Sequence, residues 1–375
     1  MFGKRLKLFK LLGFEVRLDL SWIFIAILVV WSLSEGYFPY FYQDLSTQTY
    51  WVMGVVGALG LFISIIVHEF AHSLVAQQYG MPMKGITLFI FGGVAEMGDE
   101  ATSPKGEFLM AIVGPITSIL LAALFYGGAR LGQASIWSTP VFGVLEYLAF
   151  INAILAGFNL LPAFPLDGGR VLRSILWAAK DNLKWATRIA SNIGVGFGLL
   201  LIFLGILQVV RGNFVGGLWW VLIGMFLQGA ARMSYQQILT RQALEGEPIS
   251  RFMRRDPETV PSSLSVKDLV ENHIYRHHYK MFPVMDDGSL LGYVTTKQVQ
   301  EIPRDQWDRH TVGEIYIPRS ADNTISPQDD AARALSQMKN LGTSRLLVTE
   351  GDRLQGILSL KDLMDFLSLK GELEQ

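Results

Sequence analysis

The sequence predicts a polytopic α-helical membrane domain with six transmembrane helices, followed by a soluble α/β domain. Half of its 375 residues are hydrophobic and only 17% are charged, and the mean hydropathy is +0.32. The apolar residues form long runs that end near residue 233, whereas the composition beyond residue 245 is ordinary. Long apolar runs are typical of membrane spans. We therefore expect a membrane domain at 1–240, a linker at 241–247 and a soluble domain at 248–375.

Composition also excludes several classes of function. The chain has no cysteine, which excludes disulfides, thiolate metal ligands and a cysteine nucleophile. Its net charge of −1 argues against a nucleic-acid-binding surface. The N-terminus is basic, but the first apolar run is long and lacks a small-residue cleavage site. We interpret this run as a retained first span rather than a signal peptide.

Six apolar runs approach the roughly 20 residues that a transmembrane helix needs. Basic residues cluster before the first run, between the fourth and fifth, and after the sixth. Because cytoplasmic loops carry an excess of Lys and Arg, we expect a multi-pass protein of the cell membrane with both termini and the soluble domain in the cytoplasm. The runs lie at 18–35, 52–77, 106–129, 141–164, 189–210 and 215–233.

The second apolar run contains the sequence His-Glu-Phe-Ala-His at 68–72. Residues four apart lie on one face of a helix, so His68 and His72 can hold one ion, with Glu69 beside them. This spacing is a zinc-hydrolase signature, in which the histidines are ligands and the glutamate is the general base. Ionisable residues in a membrane span are costly and usually functional. The plainer alternative is a polar patch on a buried helix that arose by chance.

A third metal ligand is expected because a catalytic zinc ion takes three protein ligands and a water. Four of the six histidines lie in the soluble domain, so the ligand should be a carboxylate. Asp167 lies at the cytoplasmic end of the fourth run, between Pro165 and the pair Gly168-Gly169. Proline ends the helix and glycine permits a tight turn, which would present the Asp167 side chain. The alternative is a simple Asp-Gly turn that leaves the membrane.

These motifs resemble those of the site-2 protease family of intramembrane zinc metalloproteases. The resemblance rests on His-Glu-Phe-Ala-His at 68–72 and Leu-Asp-Gly-Gly at 166–169, joined by Asn159, Pro162 and Pro165. It covers essentially the whole chain and points to the branch with a C-terminal pair of CBS modules. It implies a zinc metalloendopeptidase that cleaves a transmembrane protein in or near a transmembrane helix, in regulated intramembrane proteolysis.

The resemblance also assigns roles to individual residues. It implies one zinc ion per chain, held by His68, His72 and Asp167, with Glu69 as the catalytic base. The metal motifs show no departure from the family pattern.

Two further segments stand out through the resemblance. The segment 91–95, with Gly92 and Gly93, matches the part of the family thought to pair with an unwound substrate as an added strand. A plain glycine turn is the alternative interpretation. The pair Gly114-Pro115 in the third span also matches the family.

Two asparagines in the fourth span, Asn152 and Asn159, are seven residues apart and so share one helix face. We hypothesise that Asn159, and with less support Asn152, donates hydrogen bonds to the substrate backbone or to the oxyanion. Hydrogen bonding between transmembrane helices is an equally reasonable role.

The soluble domain repeats itself. The stretch from Phe282 to Gly292 recurs from Leu346 to Gly356, with the closing glycines 64 residues apart. Duplicated βαββα-like units of this length predict one pseudo-symmetric domain, with copies at about 248–305 and 308–370. The pattern resembles a CBS pair, a module that often binds adenine nucleotides.

The family's nucleotide motif, G-h-h-[ST]-x-x-[DN], is complete only in the second copy. There Ser359 would contact phosphate and Asp362 the ribose hydroxyls. In the first copy Thr295 fits, but Gln298 replaces the acid. We expect one adenine nucleotide per chain, at the second copy. A purely structural dimerisation domain is the alternative, and the sequence leaves open whether the chain forms a homo-oligomer through the CBS pair.

A basic, histidine-rich stretch at 276–280 in the soluble domain admits a further metal site or a lipid contact. We interpret it as a solvated helix end.

Two functions of other classes compete with the protease: a catalytically silent receptor or scaffold whose CBS pair reports energy status, and a CBS-regulated transporter. Neither needs a general base beside the metal ligands, so the presence of Glu69 favours the protease. A transporter would also be expected to show repeats among its spans, and the sequence shows none.

Overall fold

The computed structural model divides into two compact units, Met1–Ile238 and Leu239–Gln375. The residues that it describes are 5–11, 14–81, 83–89, 92–97, 101, 103–134 and 137–373.

Among its described residues, the first unit contains six helical segments that are long and apolar enough to cross a membrane, which confirms the predicted number of spans. The first segment consists of α1, a π-helical stretch at Leu33–Tyr37, and α2. A shorter helix, α6, lies between the fourth and fifth spans. The helices are α1 (Ser21–Ser32), α2 (Phe38–Phe41), α3 (Thr47–Gln78), α4 (Pro104–Ala134), α5 (Thr139–Asn159), α6 (Asp167–Lys180), α7 (Leu183–Val210) and α8 (Phe214–Leu244).

Each span differs from its predicted apolar run at one or both ends, and two of these differences have a local physical cause. Helix α5 ends at Asn159 rather than at residue 164, because Pro162 and Pro165 cannot continue the helical hydrogen bonds. Helix α3 begins five residues before the predicted run, at Thr47. Its N-cap, Ser46, accepts a hydrogen bond from the N–H of the third helical residue, which satisfies one of the free donors at the helix start.

A four-stranded sheet that the sequence analysis did not predict accompanies the spans. Strands β1 (Arg5–Leu11), β2 (Phe14–Asp19), β3 (Met83–Phe89) and β4 (Gly92–Met97) lie in the order β1-β2-β3-β4. The β2–β3 pair is parallel and the other two pairs are antiparallel. Both β3 and β4 lie against α3, and β4 forms one edge of the sheet.

Helix α4 is central to the packing of the first unit, since it contacts α3, α5 and α6. A buried apolar cluster joins α3 to α5 and to the first span. Its buried members are Leu33, Phe38, Met53, Ala58, Phe62, Val144, Tyr147 and Leu148.

The second unit is a CBS-type α/β domain with two sheets, in the orders β6-β7-β8 and β5-β11-β10-β9. Its strands are β5 (Arg254–Arg255), β6 (Met281–Asp286), β7 (Ser289–Thr295), β8 (Ile317–Pro318), β9 (Thr324–Ile325), β10 (Arg345–Glu350) and β11 (Arg353–Ser359). Its helices are α9 (Val266–Asp268), α10 (Tyr275–His277), α11 (Thr296–Gln300), α12 (Val312–Ile315), α13 (Ala331–Leu341) and α14 (Leu360–Leu373), with a π-helical stretch at Leu269–Ile274.

The repeat seen in the sequence recurs in the register of two hairpins. In the β6–β7 hairpin Val284 pairs with Gly292, and in the β10–β11 hairpin Val348 pairs with Gly356. In both hairpins a register shift follows directly after the valine. Two buried apolar cores accompany the hairpins; the core around β10 and β11 includes Ile249 of the first copy, and the core around β6 and β7 includes Val312 of the second.

Candidate active site

Helix α3 brings His68 and His72 onto one face, and the start of α6 brings Asp167 against both. The Nε2 atoms of the two histidines lie 3.1 Å apart. Asp167 Oδ2 lies 3.1 Å from His68 Nε2 and 3.2 Å from His72 Nε2. Both histidines are only 5% exposed. Three potential metal ligands thus converge on one buried point, although Asp167 is 95 and 99 residues away along the chain.

The other ring nitrogens are held by helix α4. His72 Nδ1 lies 2.6 Å from the carbonyl oxygen of Met110, and His68 Nδ1 lies 2.9 Å from Ser118 Oγ. A carbonyl oxygen only accepts, so His72 Nδ1 carries the hydrogen, and a neutral His72 ring presents a lone pair at Nε2. Partners of this kind fix the tautomer and the orientation of metal-binding histidines.

The donor set fits a zinc ion. Two imidazole lone pairs and a carboxylate oxygen that face one another repel unless a cation lies between them. The edge of a tetrahedron with zinc–ligand distances of 2.0–2.2 Å is about 3.3–3.6 Å, slightly longer than the 3.1–3.2 Å between these ligand atoms. Two histidines and one carboxylate are also a known ligand set for catalytic zinc.

Gly114 allows α4 to approach the metal ligands. A Cβ atom at this position would overlap His72 Nε2 and would lie 2.7 Å from His68 Nε2. Any side chain would therefore occupy the space between the ligands and α4. Pro115 follows within the same helix. The family resemblance indicated this pair, and the structure supplies the physical reason for the glycine.

The start of α6 is packed so closely that Asp167 has little freedom. A Cβ atom at Gly168 would overlap the carbonyl oxygen of Leu160, and one at Gly169 would overlap the backbone of Phe164. Because Gly168 and Gly169 have no side chains, the first turn of α6 packs directly against the turn that follows α5. This packing aims the Asp167 carboxylate at the two histidines.

An ion pair between α4 and α6 supports the same arrangement. Arg173 Nε donates to Glu107 Oε1 over 2.6 Å, and the same guanidinium makes a second contact with this oxygen. Both residues are buried, and the guanidinium lies 5.0 Å from the centre of the Phe164 ring. The sequence analysis missed this pair. The sequence does contain a hint of this pair, because Glu107 and Arg173 are opposite charges in two segments that lie close to the metal motifs along the chain.

Glu69 follows His68 on α3 and is half-buried. Its carboxylate takes no part in the hydrogen bonds that hold the histidines and Asp167. Its backbone carbonyl accepts from Ser73 Oγ over 2.9 Å. The side chain thus follows one potential metal ligand on the same helix and is not part of the three-residue cluster, which is the arrangement expected of a general base.

Asn152 is buried, and its amide hydrogens are engaged. Its Nδ2 donates to Ser64 Oγ on α3 over 3.0 Å and to the Leu148 carbonyl over 2.8 Å. This geometry favours the role of a hydrogen bond between helices. Asn159, by contrast, is the last residue of α5 and is half-buried.

The predicted substrate segment lies at an edge of the first sheet. Gly92 and Gly93 begin β4 and pair with Phe89 and Leu88 of β3. Phe91 lies outside the described residues. The strand therefore presents one backbone edge that no other strand of this sheet covers.

The predicted nucleotide residues occupy equivalent places in the two CBS copies. Ser359 closes β11, and its N–H and Oγ donate to Asp362 Oδ2 over 3.0 and 2.5 Å. Thr295 closes β7, and its N–H and Oγ1 donate to Gln298 Oε1 over 3.1 and 2.6 Å. The two copies thus differ in charge at this position rather than in backbone geometry.

Comparisons with known proteins agree with both units. The family model described as peptidase family M50 matches residues 56–134 and 127–203. The CBS domain model matches residues 249–303 and 312–369.

Similar proteins span nearly the full chain. Rip3 of Mycobacterium tuberculosis, which is named as a zinc metalloprotease, is 36% identical over 94% of this chain and 90% of its own length. The zinc metalloprotease MJ0392 of Methanocaldococcus jannaschii is 28% identical over 98% of each chain. Among solved structures, a site-2 protease from Methanocaldococcus jannaschii covers 61% of this chain and 94% of its own, with 28% identity and a TM-score of 0.43.

Proposed function

The chain belongs to peptidase family M50 as a site-2-type zinc metalloprotease with a C-terminal pair of CBS domains, and on this premise we propose how it acts. It hydrolyses a peptide bond in or near a transmembrane helix of a membrane-protein substrate. His68, His72 and Asp167 hold one zinc ion, and Glu69 is the general base. The observation that carries this proposal is the convergence of three potential ligand atoms, from two buried histidines and the half-buried Asp167, within 3.2 Å of one another.

The residues of the site divide the chemistry among them. Zinc, when bound, acts as a Lewis acid and lowers the pKa of a coordinated water to about 7. The Glu69 carboxylate takes a proton from the attacking water and returns it to the leaving amine. Met110 and Ser118 hold the two imidazoles in position. Because these groups are fixed before the substrate arrives, little reorganisation is needed during the reaction.

The substrate must unwind before it can be cleaved, because a helix hides its carbonyls in i→i−4 hydrogen bonds. We assign the edge strand β4 as the surface that receives the unwound segment. The backbone of an edge strand can pair with an extended peptide, as in β-augmentation. Strand β4 lies against α3, the helix that carries His68 and His72, so a peptide paired with 92–95 would lie beside the metal site. This pairing would compensate part of the lost helical hydrogen bonds.

We assign the two asparagines different roles. Asn159 ends α5 directly before the turn that leads to Asp167, so its amide is placed to donate to the substrate backbone or to the oxyanion. Asn152 anchors α5 to α3 through Ser64.

We also propose that the CBS pair binds one adenine nucleotide and thereby modulates cleavage. The site is at the second copy, where Ser359 and Asp362 lie at the start of α14. The Asp362 carboxylate is negatively charged and can accept strong, charge-assisted hydrogen bonds from ribose hydroxyls. The Gln298 amide of the first copy is neutral, so it cannot accept hydrogen bonds of this kind.

The orientation in the membrane follows from charge. The basic residues near the N-terminus, in α6 and its flanks, and after the sixth span place these regions in the cytoplasm by the positive-inside rule. The CBS pair is then cytoplasmic, where adenine nucleotides are available.

An Asp167→Asn variant tests the metal site. The amide is nearly isosteric, but it lacks the charge that a zinc ligand supplies. Because loss of an outer partner already costs about 10–100-fold in metal affinity or activity, we expect this variant to lose one equivalent of zinc and at least about 100-fold in cleavage of a model transmembrane substrate. The matched control is Asp181→Asn at the exposed end of α6, which should behave as wild type. Full zinc and full cleavage in Asp167→Asn would overturn the assignment.

A further inference from the structure

We propose that the CBS unit binds a second divalent metal ion, zinc or a metal of similar ligand preference, between Glu258, His273 and His277. One potential ligand atom from each of these residues lies within 4.8 Å of the others. The cluster belongs to the first CBS copy and plays no part in the protease chemistry or in the proposed nucleotide site.

The distances within the cluster fit three ligands of one metal ion. His273 Nδ1 lies 3.3 Å from Glu258 Oε1, and His277 Nε2 lies 3.8 Å from the same oxygen. His273 Nδ1 is buried, yet within the described part of the chain it has no hydrogen-bond partner. A buried polar atom without a partner costs about 1–3 kcal/mol, so such atoms call for an explanation. A metal ion bound by both His273 Nδ1 and Glu258 would give this nitrogen a partner.

The local backbone explains why the two histidines face the same way. His273 lies in the π-helical stretch Leu269–Ile274, and His277 ends α10. A spacing of four residues brings both rings onto one side, as it does for the metal ligands of α3. Single π-helical turns are rare and often occur at functional sites. Glu258 comes from a separate segment that follows β5, so a bound ion would join this loop to the helix.

Aromatic neighbours hold both imidazoles in place. The His273 ring meets the Phe282 ring nearly edge-on, with centroids 6.0 Å apart and an angle of 77°. The His277 ring stacks on Tyr279, with centroids 5.7 Å apart and an angle of 24°. Phe282 belongs to the buried core of the copy. Because the rings are already oriented, an ion would find its ligands largely preorganised.

The ligand types define the class of metal. Two imidazoles and one carboxylate suit zinc and similar transition metals, and they lack the soft sulfur ligands that Cu(I) prefers. The side chains of His273 and His277 remain 20% and 31% exposed, so water can complete the coordination and the ion can exchange with solvent. These features describe a site that responds to the metal concentration around it, unlike the buried centre of the membrane unit.

The test uses the full chain with the active-site ligands removed by His68→Ala and His72→Ala, so that only the second site is counted. We expect this background variant to bind one zinc ion per chain. When cobalt is added instead of zinc, we expect the absorption bands that are typical of low-symmetry coordination. Adding Glu258→Gln should weaken zinc binding at least tenfold. The Glu258 side chain is 39% exposed, so we expect this substitution to leave the fold intact.

The matched control is His278→Asn, which removes an exposed histidine next to the cluster. His278 has a φ of 57°, and asparagine tolerates this left-handed conformation. We expect the control to bind zinc as tightly as the background. The proposal is overturned if the background binds no zinc, or if His278→Asn weakens binding as much as Glu258→Gln does.

Discussion

At the scale of single residues, the metal centre depends on contacts that surround the ligands as well as on the ligands themselves. Gly114 has no room for a side chain beside His68 and His72. Ser118 and the Met110 carbonyl hold the far sides of the same rings. All three positions lie on α4, so this helix fixes how the ligands of α3 are presented.

Replacing Gly114 with alanine tests this dependence. The added Cβ would overlap His72 Nε2, and its three nearest neighbours are all ring atoms of His68 and His72, which the contacts with α4 hold in place. We expect Gly114→Ala to lose at least about tenfold in zinc affinity, as when an outer partner is lost, and a corresponding share of cleavage. Gly127→Ala on the same helix is the control, because a Cβ there has no atom within 4 Å. Equal zinc content and cleavage in the two variants would contradict this account.

The residues that sequence alone could identify are those whose geometry is local. A spacing of four on one helix fixes how His68 and His72 relate to each other, and the helix break before Asp167 marks a carboxylate that can be turned toward another helix. The contacts of Met110 and Ser118 with the histidines, and the Glu107–Arg173 ion pair, depend on how far one helix is shifted along another. No local pattern in a single sequence gives this shift.

At the scale of elements, the helices and the sheet have separate roles. Helices α3 and α6 carry the three proposed metal ligands and α4 packs against both, whereas strand β4 lies against α3 and forms one edge of its sheet. Apolar length alone revealed the six spans. The strands near the N-terminus were missed because the alternation of buried Phe14, Val16 and Leu18 runs directly into the first apolar run.

Proline substitutions along β4 test whether its edge binds substrate. Successive N–H groups of a strand point alternately toward its neighbour and away from it. Proline at Gly93, Val94 and Ala95 in turn should therefore have alternating effects. Where the N–H faces β3, we expect a lower unfolding temperature. Where it faces the open edge, we expect unchanged stability but up to about tenfold slower cleavage, because a backbone hydrogen bond contributes about 0.5–1.5 kcal/mol.

Thermal unfolding of each variant separates these effects from a general loss of structure. If no stable proline variant cleaves more slowly than wild type, β4 does not receive the substrate.

At the scale of the whole molecule, the chain combines a membrane protease with a CBS pair that repeats one fold twice. The register of the two hairpins and the strand-end hydroxyls at Thr295 and Ser359 are the same in both copies. The copies differ at Gln298 and Asp362. The repeat was readable because both copies keep the same glycine and the same hairpin length.

This difference predicts a single nucleotide site. Hydrogen bonds to a charged group contribute about 1.5–3 kcal/mol, so Asp362→Ala should weaken the binding of an adenine nucleotide by about 10–100-fold in calorimetry on the full chain. Gln298→Ala should leave the affinity unchanged, because the first copy lacks the carboxylate. Unchanged affinity in Asp362→Ala, or a comparable loss in Gln298→Ala, would argue against a site at the second copy.

The central claim is that Glu69 acts as the base beside a zinc ion that it does not hold. The most direct measurement compares wild type with Glu69→Gln in zinc content and in cleavage of a model transmembrane substrate. We predict equal zinc in both proteins and a loss of about 10²–10⁴-fold in cleavage for the variant, the usual contribution of general acid–base catalysis. Cleavage by Glu69→Gln at the wild-type rate would contradict the account.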